Sequence, residues 1–402
     1  MLEISLNMYH AVALGAVLFW IGGFITDKVS ILNRYCIPAP LVGGLLFSII
    51  NCILTVSGVA SITFDGTLQT VFQNLFFTTV GFTVSIPALL RGGKSVILVL
   101  VLSIIMIPIQ NGLGGAIMLA FNQDPLVGIG IGSTALIGGP ATAAAYGPEL
   151  VKAGAPAGAD VAALAAATFG LVSGSLMGGP VARSLIVKHN LKSTAVSNGD
   201  VAAESEDGVF TAKTNNFVKG FMLLLAALGI GAQASVWLTD LTGLTFPSYI
   251  GAMLVAVVIR NVMIAVKVEY PDQEIDTMGT MFLSIFLALA LSSLKLWELV
   301  DLALPMIITL VLQCIVMVIF SYFIVFNVMG RDYEAAVMSA GFIGFAMGAT
   351  SNAMANMQVV TKKYGPAPVS YFAIPMVGGM FIDFFNAILI TFNIDLFVSW
   401  FH

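Results

Sequence analysis

Charge is scarce in this chain: Asp, Glu, Lys and Arg make up 9% of 402 residues, where soluble domains carry about 25%. With 58% of residues hydrophobic, too little polar surface remains to cover a water-soluble fold. Cysteine and histidine are rarer still, three of each. Cys36, Cys52 and Cys314 lie in or beside apolar runs and form no Cys-x-x-Cys or Cys/His spacing, which argues against a disulfide framework and structural zinc. His10, His189 and His402 stand near the ends of predicted spans, so a histidine proton relay is unsupported. No Ser/His/Asp set, His-Glu-x-x-His or Walker loop is present, and neither an enzyme nor a nucleic-acid binder is expected. What the chain does have is length of apolar run. Mean hydropathy is +1.00, and the runs approach the roughly 20 residues that cross a bilayer. A polytopic membrane protein is expected, with the lipid bilayer as its main partner.

Apolar windows set off by charge or Pro/Gly predict ten spans, at 9–27, 39–57, 69–90, 95–121, 157–188, 216–238, 246–267, 276–295, 301–329 and 366–398. The N-terminal stretch has Glu3 and no Lys or Arg before the first run, so that run is expected to be a retained helix. Segments 125–151 and 333–360 are apolar but rich in Gly, Ala, Ser, Thr and Asn. If both are re-entrant and the N-terminus is outside, only Lys152 and Lys295 of the sixteen basic residues fall outside. If both cross, the basic residues divide evenly, so the positive-inside rule favours two hairpins.

The polar stretch 189–215, with Asp200, Glu204, Glu206, Asp207 and Lys213, reads as a cytoplasmic linker. Residues 1–188 and 216–402 then each hold five spans and one hairpin. Five is odd, so the halves enter the membrane in opposite directions, as in the inverted repeats of secondary transporters. A gapless match of Leu75 to Leu90 with Ile285 to Val300 supports the duplication, as does Ser133 to Gly138 with Ser339 to Gly344. The fold class expected is an all-α membrane protein with both termini periplasmic.

Irregular backbone at membrane depth leaves N–H and C=O groups that lipid cannot satisfy, so hairpin tips mark a cavity or a ligand. The breaker clusters are Gly138-Gly139-Pro140-Ala141-Thr142 and Gly344 with Gly348-Ala349-Thr350-Ser351-Asn352. Thr142, Thr350, Ser351 and Asn352 are N-cap residue types where second half-helices would begin. A half-helix N-terminus carries about half a positive charge and holds a carboxylate without Lys or Arg. Two tips would suit a dicarboxylate, with Ser133, Gly138, Gly139, Thr142, Thr350, Ser351, Asn352 and Asn356 as the candidate substrate set. Asn352 and Asn356, four apart, either read the substrate or tie the hairpin to its neighbour. Asp383 is the only acid well inside the last span, with Asn386 three residues on. An intramembrane carboxylate is costly and points to Na+ or a substrate ammonium, or else to a hydrogen bond between packed helices. Gly170, Gly174 and Gly178 form a small-residue stripe suited to close packing, while Ser173 and Ser175 beside it are candidate Na+ ligands with Asp383 and Asn386.

The run Ile37 to Leu46, the stretch Ala167 to Val172 with Gly178 to Arg183, and above all Gly348-Ala349-Thr350, Ala355 to Gln358 and Pro375 to Asp383 resemble bacterial sodium/glutamate symporters over nearly the whole chain. The resemblance implies a cytoplasmic (inner) membrane importer of L-glutamate with Na+ as coupling ion. It also implies ten spans, two hairpins, a homodimer and elevator-like motion, as in the distantly similar citrate transporters. Gly138-Gly139-Pro140-Ala141 departs from the family's Gly-Gly-x-Gly tip in its last residue. A carrier of another small dicarboxylate and a Na+/H+ antiporter built on Asp383 remain as alternatives. A channel is not expected, since no ring of charges or carbonyl filter is visible.

Overall fold

The computed structural model describes residues 2–35, 37–193, 214–244 and 246–401. Most of the expected linker 189–215 therefore lies outside the described residues, as do Cys36 and both terminal residues. The chain is mostly helical, in the order α1 (Met8–Lys28), α2 (Ala39–Val56), α3 (Thr67–Thr83), α4 (Gly93–Ala120), α5 (Pro125–Ile129), α6 (Gly139–Lys152), α7 (Ala159–His189) and α8 (Thr214–Thr242). There follow α9 (Ser248–Ala265), α10 (Asp272–Ser292), α11 (Ala303–Ile319), α12 (Tyr333–Ala346), α13 (Thr350–Tyr364), α14 (Pro368–Met376) and α15 (Ile382–Phe401). Among the described residues, nine helices are long and apolar enough to cross a membrane: α1, α2, α4, α7 to α10, α11 with its continuation to Val328, and the continuous stretch Pro368–Phe401.

Two expectations change. The predicted span 69–90 is not one helix. α3 stops at Thr83, Val84 is extended, and Ser85 caps a short helix, Ile86–Arg91, by accepting a hydrogen bond from Ala88 N at 3.3 Å. Pro87 is the cause: it has no N–H for the Thr83 carbonyl four residues back, and its ring crowds that carbonyl. Nor is the fold wholly α. β1 (Leu2–Leu6) pairs in parallel with β2 (Ala60–Phe64), Leu2 opposite Ala60 and Leu6 opposite Phe64. Parallel strands need a crossover, and the antiparallel pair α1–α2 supplies it. Asn7 ends β1 and starts α1, its side chain accepting from Tyr9 N and His10 N at 3.1 and 3.0 Å.

The helices sort into two bundles, each drawn from both halves of the chain. In one, α1, α2, α3, α8, α9 and α10 pack on one another; the other holds α4, α7, α11, α14, α15 and the helix pairs α5–α6 and α12–α13. The bundles meet where α10 touches α6 and where α3 and α9 touch α15. Within each, helices approach at glycine. A methyl built at Gly81 of α3 would lie 2.2 Å from Met253 O of α9, and one at Gly170 of α7 would lie 2.4 Å from Met347 O. Such contact gives van der Waals attraction that does not depend on water, which is what holds helices together in lipid.

Candidate functional site

Each expected hairpin is two short arms with a break between them. The first arm, α5, runs into a widened turn, Gly130–Thr134, in which Gly132 leaves helical geometry (φ −90°, ψ −128°). The chain then turns at Ile137 and Gly138, and α6 starts at Gly139, whose φ of +63° suits glycine. In the second pair, α12 ends at Ala346 and extended Ala349 (φ −161°, ψ 163°) precedes α13. The tips touch: a methyl on Gly139 would lie 3.1 Å from Gly348 O.

The expected N-caps are not used. Gly138 stands at the cap position of α6 and Ala349 at that of α13, with no side-chain capping bond at either. Thr142 is a full turn inside α6, which starts early because Pro140 favours the first helical positions. The first hydrogen bond of α13 is donated by Asn352 N to Ala349 O, so the N–H groups of Thr350 and Ser351 precede the helical ladder. Both half-helices begin with backbone donors that no side chain covers.

Those helix starts open into one cavity of about 230 Å³, between the bundles. The hairpin bundle contributes Gly138 to Ala141, Gly348 to Ser351, Leu171, Phe345, Gly378 and Asp383; the other bundle contributes Pro38, Phe76, Leu283 and Leu287. Among the described residues, no Lys or Arg lines it. Asp383, half-buried, makes no hydrogen bond or ion pair among the described residues. It is the one formal charge among the described residues that line the cavity, which two positive helix ends share.

Of the expected site residues, Gly138, Gly139, Thr350, Ser351 and Asp383 come together here. The others do not line the cavity. Thr142 packs over Gly138, where a methyl would fall 2.3 Å from Thr142 Cβ. Asn352 Nδ2 donates to Leu171 O at 2.9 Å, and Asn356 Nδ2 donates to Gly174 O at 2.8 Å, so both amides bind α13 to α7. Ser173 and Ser175 donate to Gly170 O and Leu171 O of their own helix, at 3.3 and 3.0 Å. Asn386 turns to the first hairpin and donates to Ser133 O at 3.1 Å. The four expected Na+ ligands are thus spread over three places.

One cluster was not anticipated. Ser133 N donates to Asn111 Oδ1 of α4 at 2.8 Å, so Asn111 and Asn386 hold the two successive peptide groups that flank Ser133. Ser133 Oγ, Thr134 Oγ1, Asn386 Oδ1 and Asn111 Nδ2 are all buried and unpartnered. Unpaired buried polar atoms are costly and mark a place where water or an ion belongs. Gln110 and Gln313 brace the same region: Gln110 Nε2 donates to Ala346 O at 3.0 Å and Gln313 Nε2 to Gln110 O at 2.7 Å. A polar side chain amid an apolar span is the signal that would have found Gln110, Asn111 and Gln313. No cluster of three or more His, Cys, Asp or Glu occurs among the described residues.

The chain matches the sodium/glutamate symporter family over residues 4–366. It is 35% identical over 391 residues to a sodium/glutamate symporter of Haemophilus influenzae, covering 96% of each chain. It is equally identical over 374 residues to that of Escherichia coli strain K12, covering 92% of this chain and 93% of the relative. Among solved structures, a sodium proton antiporter from Methanocaldococcus jannaschii aligns over 97% of this chain and 96% of its own, at 15% identity and a TM-score of 0.46.

Proposed function

The chain belongs to the sodium/glutamate symporter family, and on that premise we propose that it imports L-glutamate together with Na+ across a bacterial cytoplasmic membrane. One observation supports the reading most: two uncapped helix starts and one carboxylate share a cavity that no Lys or Arg lines. In this mechanism one glutamate carboxylate accepts from the first N–H groups of α13 and the other from those of α6. The ammonium pairs with Asp383. Thr350 and Ser351 hydroxyls complete the substrate set, while Asn352 and Asn356 keep α13 in place on α7.

For Na+, neutral and anionic oxygens are needed. Asn386 Oδ1, Ser133 Oγ and Thr134 Oγ1 supply them at the first hairpin, and Asp383, about one turn away on the same helix, supplies negative charge. Ser173 and Ser175 donate their hydroxyl protons to their own helix and keep lone pairs for an ion, but neither lines the cavity that holds Asp383. Na+ bound at the Ser133 peptide steadies the first tip for the substrate, which links ion and cargo. A carrier holding one without the other would take an uncompensated charge past lipid, and that penalty couples the two.

In the same reading, α3 with its continuation to Arg91 is the tenth span. The helix pairs 125–151 and 333–360 are re-entrant, with arms of 10 to 15 residues that fall short of the roughly 20 needed to cross. The halves 1–188 and 216–402 are inverted repeats, both termini are periplasmic and the linker is cytoplasmic. The hairpin bundle moves as an elevator against the other bundle, which holds the homodimer. The test is uptake of radiolabelled glutamate by proteoliposomes with and without an inward Na+ gradient, competed by aspartate, succinate and citrate. Gradient-dependent uptake blocked by unlabelled glutamate is expected. Uptake indifferent to Na+, or Na+/H+ exchange without glutamate, overturns the proposal.

A further inference from the structure

Away from the cavity, the C-terminal ends of α7 and α13 enclose a cleft of about 720 Å³. Arg183 and Lys188 of α7 and Lys363 of α13 line it, and no carboxylate does among the described residues. None of these three cations is in an ion pair among the described residues. Lys188 Nζ lies 5.3 Å from the Tyr322 ring and Lys363 Nζ 5.5 Å from that of Tyr364. Attraction to a helix C-terminus accounts for Lys188 and Lys363, which stand in last turns. It does not account for Arg183, more than a turn further in. The walls are of the opposite character: Val187 and Val359 are each 65% exposed, with Gly179, Pro180 and Val360 between them.

We propose that this cleft binds an anionic phospholipid, its headgroup phosphate held by Arg183, Lys188 and Lys363 and an acyl chain lying on Val187 and Val359. The charge selects the headgroup. Arg183 takes two phosphate oxygens in its planar fork while the lysines act as point charges. The apolar wall selects a lipid over a free anion, which gains nothing by covering exposed valine. Unpaired cations over an apolar groove at one end of membrane helices form the kind of pocket that recognises acidic lipid. Because α13 is the second arm of the second hairpin, a lipid here bridges that arm to α7, the same pair joined deeper down by Asn352 and Asn356.

The proposal rests on the membrane location and not on the identity of the cargo, so the test reads lipid binding. The full-length protein, purified in neutral detergent, is titrated with phosphatidylglycerol or phosphatidylcholine, and adducts are counted by native mass spectrometry. Wild type is expected to retain phosphatidylglycerol preferentially. The double variant Arg183→Gln/Lys363→Gln is expected to lose about tenfold or more of that preference, the size that two headgroup cations supply. Lys152→Gln, which removes an exposed cation elsewhere, keeps it. A matching thermal unfolding midpoint without lipid shows that the double variant is folded. Equal retention by wild type and double variant overturns the proposal, as does displacement of the lipid by millimolar inorganic phosphate or glutamate.

Discussion

Asp383 is the one formal charge among the described residues lining the cavity, beside backbone, apolar groups and the Thr350 and Ser351 hydroxyls. Asp383→Asn keeps shape and removes charge. Uptake driven by Na+ is expected to fall at least about tenfold, since losing one member of a buried charge pair costs about 2–5 kcal/mol. Wild-type rate and Na+ dependence in that variant would remove Asp383 from the mechanism. Ser133 gives a sharper test of the ion site. Its Oγ is buried without a partner, so in a purely structural role Ser133→Ala costs nothing and relieves an unsatisfied group. In the proposed role it raises the Na+ concentration for half-maximal uptake about tenfold, as loss of one hydrogen-bond-strength contact to an ion implies. Its thermal unfolding midpoint in Na+-free buffer stays unchanged. Sequence pattern puts Ser133 with the substrate and Ser173 and Ser175 with Na+. The fold reverses the case for an ion, because Ser133 Oγ is buried without a partner among the described residues while the hydroxyls of Ser173 and Ser175 bond their own helix.

Among the elements, the contact of α7 with the second helix pair decides whether a tip is held in place. Glycines let the backbones meet and amides lock the register. Asn356 fills the space over Gly178, where a methyl would lie 2.3 Å from its Nδ2. Asn356→Ala leaves Gly174 O and Ala340 O without that donor and is expected to lower stability by about 1–3 kcal/mol. The check is thermal unfolding in detergent followed by tryptophan fluorescence; an unchanged midpoint would show that the amide does not anchor α13. Gly178→Val forces backbone and Asn356 apart and is expected to destabilise more, because overpacking adds strain to the lost bond. The Gly170, Gly174 and Gly178 stripe was legible as a packing face from spacing four alone. Its partner was not, since nothing local to residues 170–178 names α12 and α13.

As a whole molecule, the protein is two bundles with a cavity between them, and the proposed movement of one past the other predicts that joining them stops transport. Thr83 of α3 and Met380 of the hairpin bundle meet outside the cavity lining, Thr83 Oγ1 donating to Met380 O at 3.3 Å. With native cysteines replaced, a short bis-maleimide across Thr83→Cys and Met380→Cys is expected to abolish uptake, while either single variant treated alike retains it. Undiminished uptake by the cross-linked protein would exclude relative motion of the bundles. Membrane class, most spans and both broken helix pairs were readable along the chain, because hydropathy and Gly/Pro punctuation are local and a bilayer imposes a length on every crossing. The small strand pair is invisible along the chain because five-residue alternation disappears in a helix-length window, and the break in 69–90 because a single Pro87 barely lowers the hydropathy of an apolar run. Folding alone settled which polar atoms find partners. Asn352 is paired by Leu171 O from 181 residues away, whereas Ser133, Thr134 and Asn386 keep side-chain oxygens that have no hydrogen-bond partner among the described residues. Composition reveals that such groups exist inside lipid; whether each is satisfied or left open to an ion depends on distant backbone brought within 3 Å, which no stretch of sequence contains.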